Sequence, residues 1–200
     1  MHDARMCRSP RLPGGRGLFP LGGAVGLSHE SLPPVTLTLI LVRHAKSDWS
    51  DAVQDDFDRP LNERGRREAP LIGRWLAENA ACPEVALVSA ARRTVETWEL
   101  LADTLPRVAA DVARRLYLAG PEAILEAVRR RNEACVLVLA HNPGIGECAT
   151  LLAKSPPNHP RFEDYPTGAT TVLEFDAETW TDVVWHSGIL RGFMVPRDAS

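Results

Sequence analysis

The sequence predicts an α/β protein with a three-layer αβα sandwich, in which a mostly parallel central sheet is covered by helices on both faces. Two observations predict this fold class. Strand-forming apolar runs alternate along the chain with longer segments of helical periodicity. Three of the apolar runs stop at polar or basic residues, as expected where ligands bind outside the carboxyl ends of parallel strands. A chain of 200 residues with 44% apolar content can bury one core.

The predicted elements follow one another in a regular order. The first strand covers residues 37–42, and after a polar loop a helix covers about 62–79. This helix carries an apolar stripe, and Pro70 inside it predicts a kink or a split. The later elements are strands at 85–88 and 135–140, helices at 91–104, 121–131 and 144–153, and strands near 169–175 and 182–187. Because no convincing helix separates the last two strands, at least one of them is expected to pair antiparallel.

The first 35 residues differ in composition from the rest of the chain. Arginine alternates there with proline and glycine, a composition that cannot bury enough surface to offset chain entropy. We therefore expect residues 1–35 to be a disordered N-terminal extension and the domain to cover residues 36–200. The basic start also resembles a secretory signal, but Pro20 interrupts the apolar patch and no A-x-A cleavage site follows.

Charge and cysteine usage restrict the partners and the compartment. The formal net charge of −3 gives no global signal for nucleic acid, and no apolar stretch approaches the roughly 20 residues of a membrane span. Nucleic acid and membranes are therefore not expected as partners, and we expect a monomer. The four cysteines show no CxxC spacing, which favours buried free thiols in a reducing, cytoplasmic compartment over disulfides or zinc ligands.

Histidine and arginine side chains follow the ends of three predicted strands. Imidazole is a nucleophile and proton carrier near neutral pH, and guanidinium matches the oxygens of a phosphoryl group with a planar fork. Because the carboxyl ends of parallel strands meet at one edge of the sheet, the pattern predicts a phosphate ester or a phosphoramidate as substrate. In chain order the residues are Arg43, His44, Arg92, Arg93, His141 and Asn142.

Four motifs in a fixed order carry a resemblance to a known family. They are L-V-R-H-A-K-S-D-W, D-R-P-L-N-E-R-G, V-S-A-A-R-R-T-V-E-T and V-L-V-L-A-H-N-P-G-I. Together they resemble the histidine phosphatase superfamily, and within it the branch of small SixA-type phosphohistidine phosphatases. The resemblance covers roughly residues 37–190 and implies a phosphoglycerate mutase-like fold.

The resemblance implies roles for four residues. In the family the histidine of the R-H motif attacks phosphorus and becomes transiently phosphorylated, which assigns His44 as nucleophile. Arg43 then holds the phosphoryl oxygens, and His141 corresponds to the second histidine of the family. The second arginine of the family lies four residues after the strand-ending serine, a position that corresponds to Arg93 rather than to Arg92.

Two further residues are candidates for substrate binding. Lys46 follows the nucleophile closely and either raises the local positive potential or is simply solvated. Asn142 either positions His141 through its amide or caps the helix that follows. The segment around Arg59 is interpreted as a loop anchor and helix start.

No proton donor for the leaving group is evident. Relatives that act on phosphate monoesters carry Glu or Asp after the second arginine, whereas residues 113–120 contain no carboxylate. An alkoxide needs a proton in order to leave, whereas the imidazole of phosphohistidine leaves as a neutral ring once its nitrogen is protonated. The missing acid therefore favours P–N bonds or activated esters, with Asp48 and Asp58 as fallback donors.

Three functions compete at this point. The favoured one is a phosphatase that uses a phosphohistidine intermediate and hydrolyses phosphohistidine, in a protein or in a small phosphoramidate. The second is a phosphatase or mutase acting on a small phosphate ester, and the third is a non-catalytic phospho-binding module. No metal or other cofactor is expected, because arginine replaces the cation and no clustered ligand spacing appears.

Overall fold

The computed structural model describes residues 36–79 and 81–196, so the predicted extension at 1–35 lies outside the described residues. One mixed sheet and its covering helices make up this part of the chain. The strands are β1 (Thr36–Arg43), β2 (Val85–Ser89), β3 (Ala109–Ala113), β4 (Cys135–Ala140), β5 (Thr170–Asp176) and β6 (Ile189–Met194). The helices are α1 (Glu63–Glu78), α2 (Arg92–Ala102), α3 (Pro121–Arg129) and α4 (Gly144–Leu152).

The sheet has the strand order β3-β2-β4-β1-β5-β6. The pairs β3·β2, β2·β4 and β4·β1 are parallel, whereas β5 is antiparallel to both β1 and β6. The prediction of a mostly parallel sheet with an antiparallel pairing late in the chain is therefore confirmed. The three strands whose ends carry the candidate residues, β2, β4 and β1, are neighbours in the sheet.

Helices cover both faces of the sheet, as the three-layer prediction requires. Successive strand residues point to opposite faces, and the alternation in β1 divides the core into two apolar clusters. Leu39 and Leu41 belong to the cluster that contains the buried residues of α3 and α4. Ile40 and Val42 belong to the cluster that contains the buried residues of α1 and α2. All four side chains are fully buried, so β1 is a central strand.

The helix α1 is not split at Pro70, which lies inside one continuous helix. The helix starts at a cap in which the Asn62 side chain accepts a hydrogen bond from the backbone N–H of Gly65, at 2.9 Å. Ile72 and Leu76 then bury the apolar stripe against the sheet. We attribute the continuity of the helix to these tertiary contacts, which offset the backbone hydrogen bond that proline cannot make.

The sequence missed one strand and misplaced another. β3 was not predicted because it is a short edge strand, mostly exposed, and because alanine and aspartate form strands poorly. The strand predicted at 182–187 is wrong, because this segment leaves a 3₁₀ turn and buries Val183 in the core from a loop. The sixth strand lies further on and includes Gly192, where a Cβ atom would come within 2.8 Å of the Trp75 ring.

Two further expectations from the sequence can be compared with this part of the chain. Cys135 and Cys148 carry free thiols as predicted, but the prediction is wrong for Cys82, which is disulfide-bonded. Within residues 36–79 and 81–196, none of the helices has the length and apolar character needed to cross a bilayer.

Candidate active site

The two strand-end histidines lie next to each other at the carboxyl edge of the sheet. β1 and β4 pair in parallel with Arg43 opposite Ala140, so that the next residue of each strand, His44 and His141, stands at the same level. The backbone N–H of His44 donates to the carbonyl of Ala140 at 3.1 Å, which extends the pairing to the histidine itself. The two imidazole centroids are 5.1 Å apart, and the rings are inclined by 57°.

Arg93 connects the two imidazoles. Its Nε–H donates to His44 Nε2 at 3.2 Å, and its Nη2–H donates to His141 Nδ1 at 3.2 Å. The residue is only 2% exposed. Arg92 points outward and pairs with Glu96 at 2.8 Å. The helical register, in which neighbouring side chains diverge by about 100°, therefore places Arg93 and not Arg92 in the site.

Hydrogen bonds fix the start of α2 against the ends of β1 and β2. The Thr97 hydroxyl accepts from the backbone N–H of Ala45 at 3.1 Å and donates to the carbonyl of Arg93 at 2.6 Å. The Thr94 hydroxyl donates to the carbonyl of Ser89 at 2.7 Å. Since these three threonine bonds lie in the buried interior, the position of the Arg93 guanidinium is set by the packing of the helix.

The hydrogen-bond partners decide which nitrogen of each ring carries the proton. His44 Nδ1 lies 2.7 Å from the Ala45 carbonyl, which can only accept, so Nδ1 carries the hydrogen and Nε2 keeps its lone pair. Arg93 can only donate, so His141 Nδ1 is an acceptor. His141 Nε2 then donates to the Ser89 hydroxyl at 2.7 Å. Ser89 is the strand-ending serine from which the position of Arg93 was counted in the sequence. In the structure its hydroxyl orients the second histidine.

Both histidines are neutral at physiological pH. Burial, then the charges of His141, Arg93 and Arg43, lower the pKa of His44 well below its ordinary range, against the opposing hydrogen bond to Ala45. Burial and the charge of Arg93 lower the pKa of His141 to about 3. A neutral His44 with its lone pair at Nε2 is a competent nucleophile.

Arg43 ends β1 beside His44 and is held by the backbone of Tyr165. Its Nη1–H donates to the Tyr165 carbonyl at 2.8 Å, while its Nε–H is buried without a partner among the described residues. Tyr165 adopts a left-handed backbone conformation with φ of 40°, and its phenol donates to the Leu41 carbonyl at 2.9 Å. Because buried N–H groups are normally paired, the free donor of Arg43 points to an acceptor that a ligand supplies.

A third arginine and an acidic partner complete the site, and sequence reasoning missed the part that both play there. Asp56 pairs with Arg93 at 2.9 Å, pairs also with Arg59, and accepts a hydrogen bond from the Tyr117 hydroxyl at 2.6 Å. Arg59 is 6% exposed, its guanidinium lies 3.4 Å from the centroid of the Trp49 ring, and two of its N–H groups are buried without partners in the described part of the chain. The D-R-P-L-N-E-R-G motif was the one available signal for Arg59.

Asp56 is an ionised carboxylate and not a proton donor. Burial alone would raise its pKa, but the hydrogen bond from Tyr117 and the charges of Arg93 and Arg59 outweigh burial and lower the pKa to about 2. The two fallback donors named from the sequence lie elsewhere: Asp48 accepts from the backbone N–H of Ser50, and the Asp58 side chain is exposed.

Lys46 and Asn142, the two further candidates for substrate binding, lie beside the histidines rather than between them. Asn142 donates to the carbonyls of Tyr165 at 3.0 Å and Asp164 at 3.2 Å, so its amide holds the loop that also holds Arg43. It does not cap α4, whose cap position is Pro143. Lys46 is half-buried and lines a cavity next to Arg43. Nowhere in residues 36–79 and 81–196 are three or more His, Cys, Asp or Glu side chains grouped as a metal site.

Comparisons with known sequences and structures identify a family and several relatives. The profile of the histidine phosphatase superfamily (branch 1) matches residues 39–117. An uncharacterized protein from Mycobacterium tuberculosis is 37% identical over 163 residues, which cover 78% of this chain and 100% of that protein.

Two solved structures are similar in both fold and sequence. A protein from Nakamurella multipartitia, provisionally assigned as a phosphohistidine phosphatase SixA, is 26% identical with a TM-score of 0.69, over 80% of this chain and 96% of that chain. The protein histidine phosphatase SixA in complex with tungstate is 26% identical with a TM-score of 0.65, over 82% of this chain and 100% of that chain.

The neutral histidines make the stability of the protein depend on pH. Unfolding restores their ordinary pKa near 6.5, so the unfolded chain binds more protons than the folded one below that value. The free energy of unfolding is therefore expected to fall as the pH decreases from about 6.5 toward 3, with a slope of up to about 1.4 kcal/mol per pH unit for each histidine. Urea unfolding at pH 7, 6 and 5 measures this slope. His141→Gln is expected to flatten the slope, and an unchanged slope would contradict the charge state assigned to His141.

Proposed function

Because the chain belongs to the histidine phosphatase superfamily and has its phosphoglycerate mutase-like fold, we propose that it is a phosphatase that forms a phosphohistidine intermediate on His44. Its proposed substrate is phosphohistidine, in a protein or in a small phosphoramidate. One observation carries the proposal: the Arg93 guanidinium spans two neutral imidazoles, and its hydrogen bond to the Nε2 lone pair of His44 is one that an incoming phosphoryl group can take over. SixA, which is named a protein histidine phosphatase, supports the substrate class by similarity.

In the first half of the reaction, the phosphoryl group enters between the histidines. Its oxygens take over the Arg93 N–H groups that bond to the imidazoles, which frees the His44 Nε2 lone pair, and they accept a further hydrogen bond from the unpaired Nε–H of Arg43. His44 Nε2 attacks phosphorus in line, and the bond from phosphorus to the leaving nitrogen breaks. Because the other nitrogen of the leaving ring carries a proton, that ring departs as neutral imidazole. The guanidinium groups balance the charge on the phosphoryl oxygens, and this preorganised set of donors stabilises the transition state.

In the second half, water attacks the phosphoryl group on His44. His141 accepts a proton through Nδ1, the nitrogen that has its lone pair toward Arg93. The negative phosphoryl group favours the protonated ring, so the pKa that burial and Arg93 hold at about 3 rises as the group binds. The bond between His44 and phosphorus then breaks, its electron pair returns to His44 Nε2, and inorganic phosphate leaves as His141 releases the proton.

The preference for P–N bonds follows from the charge state of Asp56. This carboxylate lies at the site but is ionised and committed to Arg93 and Arg59, so it has no proton to give to an alkoxide. An imidazole that is protonated on its other nitrogen needs no such donor. A phosphatase or mutase that acts on a small phosphate ester is the alternative, and it requires a donor from outside this set.

The first test of this proposal compares leaving groups. Phosphohistidine and an aryl phosphate are expected to be hydrolysed at least a hundredfold faster than 3-phosphoglycerate, because only the alkyl ester needs a carboxylic acid donor. EDTA is expected to leave all rates unchanged, because arginine supplies the positive charge. Phosphate release in the presence and absence of chelator measures both effects. Efficient hydrolysis of 3-phosphoglycerate with a bell-shaped pH profile would favour the small-ester alternative instead.

The covalent intermediate can be trapped on His44. Phosphoramidates are stable in base and labile in acid, so a rapid alkaline quench with labelled substrate is expected to preserve a phosphoryl group on this residue. Peptide mapping of the quenched protein locates the label. His44→Ala is expected to abolish both label and turnover, with the circular dichroism spectrum as the control for folding. A label on any other residue would contradict the assignment.

The two adjacent arginines form a matched pair of variants. Arg93→Ala removes donors from the buried centre of the site, so about 2.7 to 4 kcal/mol of transition-state stabilisation is expected to be lost. This loss corresponds to a hundredfold to thousandfold decrease in kcat/KM. Arg92→Ala breaks only an exposed pair with Glu96, worth less than about 1 kcal/mol to stability, and kcat/KM is expected to change less than twofold. Steady-state kinetics on an aryl phosphate measures both, and the reverse ranking would refute the role of Arg93.

A further inference from the structure

A basic cavity lies next to the candidate active site. It has a volume of about 250 Å³, and the charged side chains of its lining are all cationic: Arg43, Lys46, Arg64 and Arg161. The remaining lining residues are uncharged. Neither histidine nor Arg93 belongs to this lining, so the cavity is separate from the space between the imidazoles. Arg43 is shared by the two, because it also stands beside His44.

The cations of this cavity are only partly neutralised. Arg64 pairs through Nε with Glu68 at 2.7 Å, and Arg161 pairs through Nε with Asp164 at 3.2 Å. Lys46 and Arg43 have no carboxylate partner within the described residues. Four positive charges thus have two carboxylate partners, neither of which lines the cavity, and the cavity keeps an excess of positive charge. A concave surface of this kind concentrates anions.

Backbone contacts hold the lysine and the helix that carries Arg64 together. The backbone N–H of Asn62 donates to the Lys46 carbonyl at 3.0 Å. At Gly65 a Cβ atom would come within 2.2 Å of the same carbonyl, so only glycine lets the first turn of α1 approach this closely. The glycine of the R-P-L-N-E-R-G motif therefore serves to bring Arg64 to the side of Lys46. The backbone positions of Lys46 and Arg64 are therefore set by the packing of α1.

We propose that this cavity is a second anion subsite, which binds a carboxylate or phosphoryl group carried by the same substrate molecule whose first phosphoryl group reacts at His44. The inference rests on the proposed function and adds a substrate class to it: phosphorylated compounds that carry a second anionic group. Pockets that bind whole ligands have volumes of about 300 to 1,000 Å³, so a cavity of about 250 Å³ suits a part of a ligand, such as one anionic group. Guanidinium forks bind both carboxylate and phosphoryl oxygens.

The subsite can be tested with aryl phosphates that differ in charge and not in shape. The pair is 4-carboxyphenyl phosphate and 4-carbamoylphenyl phosphate, each with its 3-substituted isomer to vary the reach. The carbamoyl compound has the better leaving group, so intrinsic reactivity works against the expected result. We expect kcat/KM of the better carboxylate isomer to exceed that of its carboxamide about tenfold, mainly through KM. Hydroquinone bisphosphate is a further substrate that carries a second phosphoryl group. Its kcat/KM, compared with that of the carboxylate, shows which of the two anionic groups the subsite prefers.

Charge-removing variants assign the effect to the cavity. Arg64→Gln and Arg161→Gln are each expected to reduce the ratio of carboxylate to carboxamide kcat/KM at least threefold. Arg67→Gln is the matched control, because this arginine lies on the same helix but is exposed and makes only a 3.8 Å pair with Glu63. The control is expected to keep the wild-type ratio. A wild-type ratio near one, or an equal reduction in Arg67→Gln, would overturn the proposed subsite.

A binding measurement keeps the test independent of turnover. Calorimetric titration of His44→Ala with the same aryl phosphates gives the ratio of their dissociation constants without hydrolysis. We expect the same preference for the carboxylate there, and equal affinities would overturn the subsite. If phosphohistidine is not hydrolysed by the wild-type protein, the proposed function fails while this ratio still decides the subsite.

Discussion

The parallel pairing of β1 with β4 is the constraint on which the site depends. This register places Arg43 opposite Ala140 and therefore sets His44 and His141 at one level, with the bond from the His44 N–H to the Ala140 carbonyl as its last rung. A slip by one residue would send every side chain of the strand to the opposite face and would separate the two imidazoles. Because the side chains of β1 pack into two different apolar clusters, such a slip would also disrupt the packing on both faces of the sheet.

The charge of Arg93 adds to burial and to hydrogen bonding in setting several of the unusual charge states at the site. The buried guanidinium of Arg93 disfavours a proton on either histidine and favours the ionised form of Asp56. The imidazoles therefore keep lone pairs, while the carboxylate loses its ability to donate a proton. The same positive field thus supports nucleophilic attack and, in our proposal, selects leaving groups that need no acid. The charge of Arg93 contributes to both because the desolvated interior screens it weakly.

Much of the site could be predicted because its signals are local. Apolar runs that end in His44 and His141 mark strand ends, and one helical step separates Arg93 from Arg92. Contacts between distant segments carry no such signal: Tyr117 reaches Asp56 across 61 positions of the chain. The edge strand β3 escaped prediction for a related reason, since its alanines become a strand only through pairing with β2. Proton positions on the rings likewise depend on partners that only the folded chain brings together.

The proposed roles of the site residues and the monomeric, cytoplasmic state stay predictions.

The left-handed backbone of Tyr165 limits how the sequence can vary at this position. Glycine would adopt a φ of 40° without strain, yet glycine has no phenol to reach the Leu41 carbonyl and the Thr171 hydroxyl. Local conformation and tertiary anchoring thus demand different residues at one position, and the anchoring prevails. The carbonyl that holds Arg43 therefore belongs to a residue with a strained backbone. Glycine would relieve that strain, but it would also remove the two hydrogen bonds of the phenol.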